Sequence, residues 1–143
     1  MKIAIASDHG GFDQKAPLVE YMRSLGHEVE DFGPETADSV DYPDYAVPVA
    51  RAVADGSADR GVLICGTGIG MSMTANKFKG IRAAVCSDCF SAQATRSHNN
   101  ANVLCMGERT VGPGLALLIT DTFLDTPFSE EERHKRRIAM IED

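Results

Sequence analysis

The sequence predicts an α/β fold in which a five-stranded parallel sheet is covered by helices on both faces. Short apolar segments alternate with helical segments five times, and one further helical segment follows. Strands that alternate with helices favour a parallel sheet, because each crossover helix brings the chain back to the edge where the previous strand began. The third apolar segment has no polar residue from Gly61 to Ile64, as in a strand covered on both faces. We therefore expect a Rossmann-like three-layer sandwich with a C-terminal helix.

Each strand is predicted from a short apolar or alternating segment. The five predicted strands span residues 2–7, 27–32, 60–65, 81–86 and 102–106. The carboxyl ends of parallel strands lie at one edge of the sheet. The residues that follow the strands are therefore expected to come together there.

The predicted helices begin and end at recognisable residues. They span residues 11–25, 45–54, 71–78, 88–97 and 113–124, and a last helix begins at Ser129. Gly26 and the pair Asp55-Gly56 are typical of helix C-termini. Pro48 is compatible only with the first turn of its helix, and Ser129 is expected to cap the last helix. Residues 1–143 contain no linker or repeat, which indicates a single domain.

The fifth predicted helix is apolar on nearly every side between Leu115 and Leu124. One face of a sheet does not cover a helix on all sides. We therefore expect a subunit interface at this helix.

Composition excludes several classes of protein. The chain has 143 residues, of which 43% are hydrophobic and 24% charged, as in one globular domain. Its net charge of −7 argues against binding to nucleic acid or to a membrane surface. No apolar segment approaches the roughly 20 residues of a membrane span, and the apolar N-terminal segment is too short for a signal peptide. With four cysteines and no signal sequence, we expect reduced thiols and a cytoplasmic protein.

The most informative segment is Cys-Gly-Thr-Gly-Ile-Gly at residues 65–70, between the third strand and the third helix. Backbone N–H groups of such a loop, together with a helix N-terminus, favour the binding of an anion. The same partial positive charge favours the thiolate form of Cys65. A buried, inert thiol is the alternative, and it is what we expect of Cys86, Cys89 and Cys105. Cys86 and Cys89 have the spacing of a metal or redox pair, but no second pair accompanies them.

Further polar residues stand near the predicted strand ends. Asp-His-Gly-Gly at residues 8–11 follows the first strand, Arg109 follows the fifth, and Ser-His-Asn at residues 97–99 ends the fourth helix. We expect the thiol, the carboxylate, the imidazoles and the guanidinium to share one edge of the sheet. The alternatives are that Asp8 only caps a turn and that His98 only ends its helix.

A cationic segment, residues 133–137, lies near the C-terminus. Glu131 and Glu132 precede Lys135 and Arg136 by four residues and are expected to pair with them. Two arginines, at 133 and 137, share one helix face, and the second has no local partner. Such a pair suits a phosphate dianion, and a solvated helix face is the alternative.

Together these segments resemble type B ribose-5-phosphate isomerase, a family shared with the subunits of galactose-6-phosphate isomerase. The resemblance rests on residues 8–11, 65–70 and 97–99 and on Arg-His-x-x-Arg at residues 133–137, and it covers essentially the whole chain. It implies isomerisation of ribose 5-phosphate and ribulose 5-phosphate without a metal or cofactor. It also implies a homodimer, or a tetramer, whose active sites draw residues from both subunits.

The resemblance implies a role for each matching residue. By this resemblance, Cys65 is expected to move the proton between C2 and C1, and Thr67 with the loop backbone is expected to hold the enediolate. His98 is expected to open the furanose ring, with Asp8 assisting. The residues implied in substrate binding are His9, Tyr42, Gly66, Gly68, Ile69, Gly70, Asn99, Arg109, Arg133, His134 and Arg137. Some members use a glutamate further along as the base. Residues 74–76 here, Thr-Ala-Asn, contain none, which favours Cys65.

Three other functions share parts of this pattern. A cysteine phosphatase needs an arginine six positions after its cysteine, where this chain has Met71. A non-catalytic phosphate- or nucleotide-binding module leaves Cys65 and His98 without a role. An isomerase of galactose or allose 6-phosphate, or of an unphosphorylated aldose, differs in pocket depth, which residues around Tyr42 and Asp8 are expected to set.

Overall fold

The computed structural model describes all 143 residues, and its five strands form one sheet in the order β2-β1-β3-β5-β4. The strands are β1 Lys2–Ser7, β2 Glu28–Asp31, β3 Arg60–Cys65, β4 Ala83–Val85 and β5 Val103–Gly107. Every neighbouring pair is parallel. The predicted parallel sheet is confirmed, and the strand ends lie within about two residues of their predicted positions.

Six helices connect and follow the strands, and a short 3-10 turn, His9–Gly11, precedes the first of them. The helices are α1 Phe12–Ser24, α2 Tyr42–Ala54, α3 Ile69–Ala75, α4 Cys89–Asn99, α5 Pro113–Asp125 and α6 Glu132–Glu142. The predicted stop after α1 is confirmed, because Gly26 adopts φ 91°, where side chains are rarely tolerated. α3 is shifted toward the N-terminus. It ends at Ala75, after which tighter turns carry the chain through Phe78.

Two other helices begin elsewhere than predicted. α2 begins three residues early, because Pro43 takes its second position, where no N–H donor is needed. Pro48 therefore lies in the second turn, and the prediction that confined it to the first turn was wrong. α6 begins at Glu132 rather than at Ser129, because Glu130 has φ 60°, which interrupts a right-handed helix. The expected cap by Ser129 was therefore also wrong.

A hydrophobic core lies on each face of the sheet. Ile3 and Ile5 of β1 belong to the cluster with α1, α4 and α5, whereas Ala4 and Ala6 belong to the cluster with α2 and α3. Alternate residues of a strand point to opposite faces, so β1 is buried on both sides. Helices on both faces are confirmed. None of them is both long enough and apolar enough to cross a membrane.

The apolar residues of α5 are unequally covered. Ala116, Ile119 and Phe123 are buried, whereas Leu118 is 59% and Leu115 is 39% exposed. The sheet and the neighbouring α4 thus cover most of this helix. A subunit interface at the two exposed leucines stays a prediction.

A buried arginine holds the end of α4. The Arg96 guanidinium donates to the carbonyl oxygens of Thr126 and Ala101 and to Asn100 Oδ1. Burial is the main reason that the pKa of Arg96 falls to about 10. This side chain joins the C-terminal ends of α4 and α5.

A second arginine reaches the same end of α4 from the start of β4. Arg82 Nε donates to the carbonyl oxygen of Asn99 at 2.9 Å, and Arg82 Nη1 pairs with Glu142 at 2.5 Å. The other carboxylate oxygen of Glu142 accepts the N–H of Gly80. The last turn of α6 is therefore tied to the end of α4.

α6 also contacts α4 through a buried histidine. His134 Nδ1 lies 2.6 Å from Ser129 Oγ, and its ring centroid lies 4.6 Å from that of His98. Burial is the main cause that lowers the pKa of His134. Glu131 acts against it, whereas His98 and two arginines of α6 act with it.

We expect the protein to lose stability in mild acid. Because the fold holds the pKa of His134 below its usual value, the unfolded chain binds the proton more readily than the folded one. This contribution to stability is complete above the ordinary imidazole pKa of about 6.5 and is lost as the pH falls toward the lower folded value. Melting temperatures should therefore decline less between about pH 8 and about pH 5 in His134→Gln than in the unsubstituted protein. His27→Gln is the control, because His27 lies outside the contact between His98 and His134. An equal decline in all three proteins would contradict the assignment of this pH dependence to His134.

Candidate active site

The strand order creates a crevice beyond the carboxyl ends of β1 and β3. These neighbouring strands are followed by α1 and α3, which leave toward opposite faces of the sheet. Ligands of open α/β sheets bind at such a point. The Asp8 turn (residues 8–11) follows β1, and the glycine loop (residues 65–70) follows β3. The two segments touch, since a Cβ on Gly10 would lie 3.0 Å from Gly66 N.

Asp8 caps its own turn and retains one unused oxygen. The side chain is almost fully buried, and Oδ1 accepts the N–H groups of Gly10 at 2.8 Å and Gly11 at 3.2 Å. The capping role is therefore confirmed. No group of the chain donates to Oδ2, so capping does not exclude a second role toward a ligand.

The glycine loop directs a backbone donor at the thiol. Cys65 is 5% exposed, and its Sγ accepts the N–H of Gly68 at 3.0 Å. This geometry requires Gly68 to adopt φ 81°, and a Cβ there would lie 2.9 Å from the backbone of Met106. The sulfur atom is therefore held against the backbone of the glycine loop.

Three N–H groups of the glycine loop remain available. Gly68 donates to the sulfur, and Ile69 donates to Thr67 Oγ1 at 3.3 Å. The N–H groups of Gly66, Thr67 and Gly70 have no acceptor within the chain. We predicted that the whole loop backbone binds an anion. In the structure, the N–H groups of Gly68 and Ile69 already have acceptors within the chain, so three donors of the loop remain for an anion.

Two predicted side chains flank the loop. The guanidinium of Arg109 lies over Gly66, where a Cβ would be 3.5 Å from Nη1, and it has no ion-pair partner. The Tyr42 ring lies against Gly70, where a Cβ would be 2.6 Å from the ring. Only glycine accommodates this approach, so Tyr42 is positioned by the loop itself.

His9 completes the groups at this crevice. It is exposed at the start of the Asp8 turn, and its Nδ1 accepts the N–H of Val40 at 3.2 Å. Val40 belongs to the β2–α2 loop (residues 32–41), which leads into Tyr42.

The remaining cysteines match the prediction of inert thiols in two cases. Cys105 is fully buried, and burial raises its pKa well above the usual value. Burial also raises the pKa of Cys86 to about 11, with Asp88 adding to the effect. All four cysteines are free.

The structure does not bring the end of α4 to this crevice. Helices of a parallel sheet run against the strands, so α4 ends at the opposite edge, four residues before β5 begins at Val103. Within one copy of the chain, His98 and Asn99 therefore lie away from Cys65. The expectation that all these groups share one edge was wrong for these two residues, because it treated a helix end as a strand end.

The predicted residues of α6 lie beside His98 rather than beside Cys65. His134 stacks on His98, and Arg137 is exposed without an ion-pair partner. Arg133 pairs with Glu131 at 2.7 Å. The expected partner of Arg136, Glu132, instead pairs with Lys135, because a three-residue spacing serves as well as four on a helix. The predicted site is thus divided into a thiol half and a histidine half.

The residues that support each half were not predicted from the sequence. Arg82 and Arg96 hold the segment that carries His98, and Lys15 contacts the β2–α2 loop. A signal existed for Arg96, since it follows the buried Ala92 by four residues on the inner face of α4. Lys15 has the same signal, since it precedes the buried Leu18 and Val19 by three and four residues, whereas Arg82 lies outside the helices and has none.

Proteins of similar sequence are named as sugar-phosphate isomerases. The model of the Ribose/Galactose Isomerase family matches residues 3–141. Ribose-5-phosphate isomerase B of Escherichia coli is 49% identical over 140 residues, which cover 98% of this chain and 93% of that one. D-erythrulose-4-phosphate isomerase of Pectobacterium atrosepticum is 44% identical over 129 residues, covering 90% and 85%.

The fold is equally similar. The solved structure of ribose-5-phosphate isomerase B from Clostridium thermocellum has a TM-score of 0.97 to this one at 50% sequence identity. The match covers 99% of this chain and 95% of that chain. Likeness at this level extends over the sheet, the helices and both halves of the predicted site, and the chain therefore belongs to the ribose/galactose isomerase family.

Proposed function

We propose that this protein is an aldose–ketose isomerase that interconverts ribose 5-phosphate and ribulose 5-phosphate. The observation that supports it most directly is the N–H of Gly68 directed at Cys65 Sγ, beside three unpaired N–H groups, in a chain of this family. Proton transfer next to a carbonyl requires a base and, close to it, hydrogen-bond donors for the oxyanion that develops.

The furanose ring opens first, because C2 becomes acidic only in the open aldehyde. Opening delivers a proton to the ring oxygen and removes one from O1, which suits an imidazole and a carboxylate. We assign the imidazole to His98. Asp8 assists at the sugar hydroxyls through Oδ2, which has no partner within the chain.

Cys65 then removes the proton from C2 as a thiolate. The C2–H electrons form the C1–C2 double bond, and negative charge collects on O1. The N–H groups of Gly66 and Gly70 and the hydroxyl of Thr67 are the proposed donors to this oxygen, and removing one such donor costs about 3 kcal/mol in other enzymes. Cys65 returns its proton to C1 while the O2 proton moves to O1, which yields the ketose. These steps use no metal or cofactor.

The phosphate is bound away from the reacting carbons. His9 and Arg109 stand at the thiol half, and Arg133 and Arg137 stand at the histidine half. We propose that these four groups hold the phosphate, with Tyr42, Asn99 and His134 lining the remainder of the site. Remote binding of a dianion orients C1 and C2 toward the base.

A complete site requires a second copy of the chain. Because the histidine half lies at the other edge of the sheet, we propose a homodimer in which each copy supplies the histidine half to its partner. Ile69 of the glycine loop and Met73, one turn later in α3, are 49% and 63% exposed, and such a partner would contact them. The exposed leucines of α5 are available for a further contact in a tetramer. The four free thiols fit a reducing compartment, and we propose the cytoplasm.

Two observations bear on the alternatives. The similar protein from Pectobacterium atrosepticum is named for a four-carbon sugar phosphate, and the family name includes galactose, so substrate length varies among relatives. Met71 is fully buried at the position where a cysteine phosphatase needs its arginine, which disfavours that reaction.

Purified protein should isomerise ribose 5-phosphate faster than four-carbon and six-carbon aldose phosphates. Initial rates over this panel, with unphosphorylated ribose as the control, measure the contribution of the phosphate. Faster turnover of galactose or allose 6-phosphate would reassign the substrate. Binding of phosphate compounds without any turnover would favour the non-catalytic module.

Cys65→Ala should abolish exchange of the C2 proton with solvent while sugar-phosphate binding is retained. The substitution removes the base and leaves the phosphate ligands in place, so kcat should fall by at least about 10³-fold. Exchange is followed by NMR in deuterated water and binding by calorimetry. Cys105→Ala is the matched control. Retention of exchange in Cys65→Ala would refute its role as the base.

Mixing two inactive variants should restore activity. Cys65→Ala and His98→Ala each destroy a different half, and a mixed dimer contains one site with both halves intact. Random reassembly should therefore give about a quarter of the unsubstituted activity, whereas each variant alone stays inactive. If mixed preparations stay inactive although mass spectrometry detects mixed dimers, the site is not shared between copies.

A further inference from the structure

Lys15 is a buried charge that the proposed chemistry does not use. It lies on α1, 5% exposed, and its Nζ donates to Asp31 Oδ1 at 2.9 Å and to the carbonyl oxygen of Pro34 at 2.7 Å. The ring of Phe12 lies 5.8 Å from the same nitrogen. Burial of an ammonium group costs free energy unless the group is paired and hydrogen-bonded. The contacts of Lys15 with Asp31 and Pro34 therefore offset the cost of burying its charge.

The partners of Lys15 fix the start of the β2–α2 loop. Asp31 Oδ1 also accepts the N–H of Gly33 at 2.8 Å. The carbonyl oxygen of Gly33 accepts the N–H of Ser7 at 3.1 Å, directly before the Asp8 turn. The loop is thus joined to α1, to the end of β2 and to the end of β1 within a few residues.

The other end of the loop determines which nitrogen of His9 carries a proton. The N–H of Val40 donates to His9 Nδ1 at 3.2 Å, so Nδ1 holds a lone pair. The neutral ring then carries its proton on Nε2. An Nε2–H group donates to a phosphate oxygen, whereas the opposite tautomer would direct a lone pair at it.

We propose that Lys15 is a positioning residue for phosphate binding, which it supports by anchoring the loop whose Val40 N–H holds His9 in the Nε2–H form. This inference rests on the proposed function, in which His9 binds the phosphate. The loop transmits the effect, because its start is fixed by Lys15 and its end supplies the donor to His9.

The first test replaces the ammonium by a side chain of similar length. Lys15→Met should raise KM for ribose 5-phosphate about tenfold while kcat changes less than about twofold, because orientation of the phosphate is lost but the base is not. Lys79→Met, at an exposed lysine without an ion pair, is the control and should leave both constants unchanged.

The second readout does not depend on turnover. In protein labelled with ¹⁵N-histidine, His9 should show an unprotonated Nδ1 and a protonated Nε2. The Lys15→Met variant should show a mixture of the two tautomers. If no sugar phosphate is isomerised by the unsubstituted protein, the proposed function fails, and this spectrum still decides whether Lys15 controls His9.

A matched pair at Val40 tests the last link alone. Val40→Pro removes the N–H donor and Val40→Ala keeps it, so only the proline variant should raise KM and mix the tautomers. This pair also decides the question if Lys15→Met does not fold. A folded Lys15→Met with unchanged KM and an unchanged His9 spectrum, or a Val40→Pro that behaves like Val40→Ala, would overturn the inference.

Discussion

A methyl group on Gly11 would lie 2.5 Å from the carbonyl oxygen of Ile64, closer than packed atoms approach. The backbone of the Asp8 turn therefore lies directly on the last residues of β3, and Asp8 N donates to that same carbonyl at 3.1 Å. This close approach brings the carboxylate cap and the glycine loop to one crevice. In that place the loop directs the Gly68 N–H toward sulfur and contacts Arg109 at Gly66 and the Tyr42 ring at Gly70.

Two thiols at neighbouring positions of the sheet illustrate how strongly environment decides chemistry. Leu63 of β3 pairs in register with Cys105 of β5, and Cys65 follows two residues later on the same face. Cys105 is enclosed by apolar side chains, and burial raises its pKa well above the ordinary value. Cys65 stands where the strand ends, with a backbone donor at its sulfur. At the end of a strand, a side chain can be buried in the core and still contact the polar backbone of the following loop.

Sequence alone predicted the thiol half of the site because that half depends on local order and strand direction. The Asp8 turn, the glycine loop and Arg109 lie within two residues of a strand end, and parallel strands end together. The histidine half was misplaced because a helix between parallel strands ends at the opposite edge, which the local pattern around His98 does not reveal. Lys15 and Arg96 were missed for another reason. Their partners, Pro34 and Thr126, lie on other elements, so only tertiary structure brings the charges to those carbonyl oxygens.

The carboxylate of Glu142 makes the last turn of α6 part of the support for the histidine half. It joins Gly80 to Arg82, and Arg82 in turn holds the carbonyl oxygen of Asn99. One carboxylate thus holds a helix that lies outside the sheet to the segment before β4. Its loss would leave a partly buried guanidinium without its counter-charge and would free α6 from the segment that carries His98.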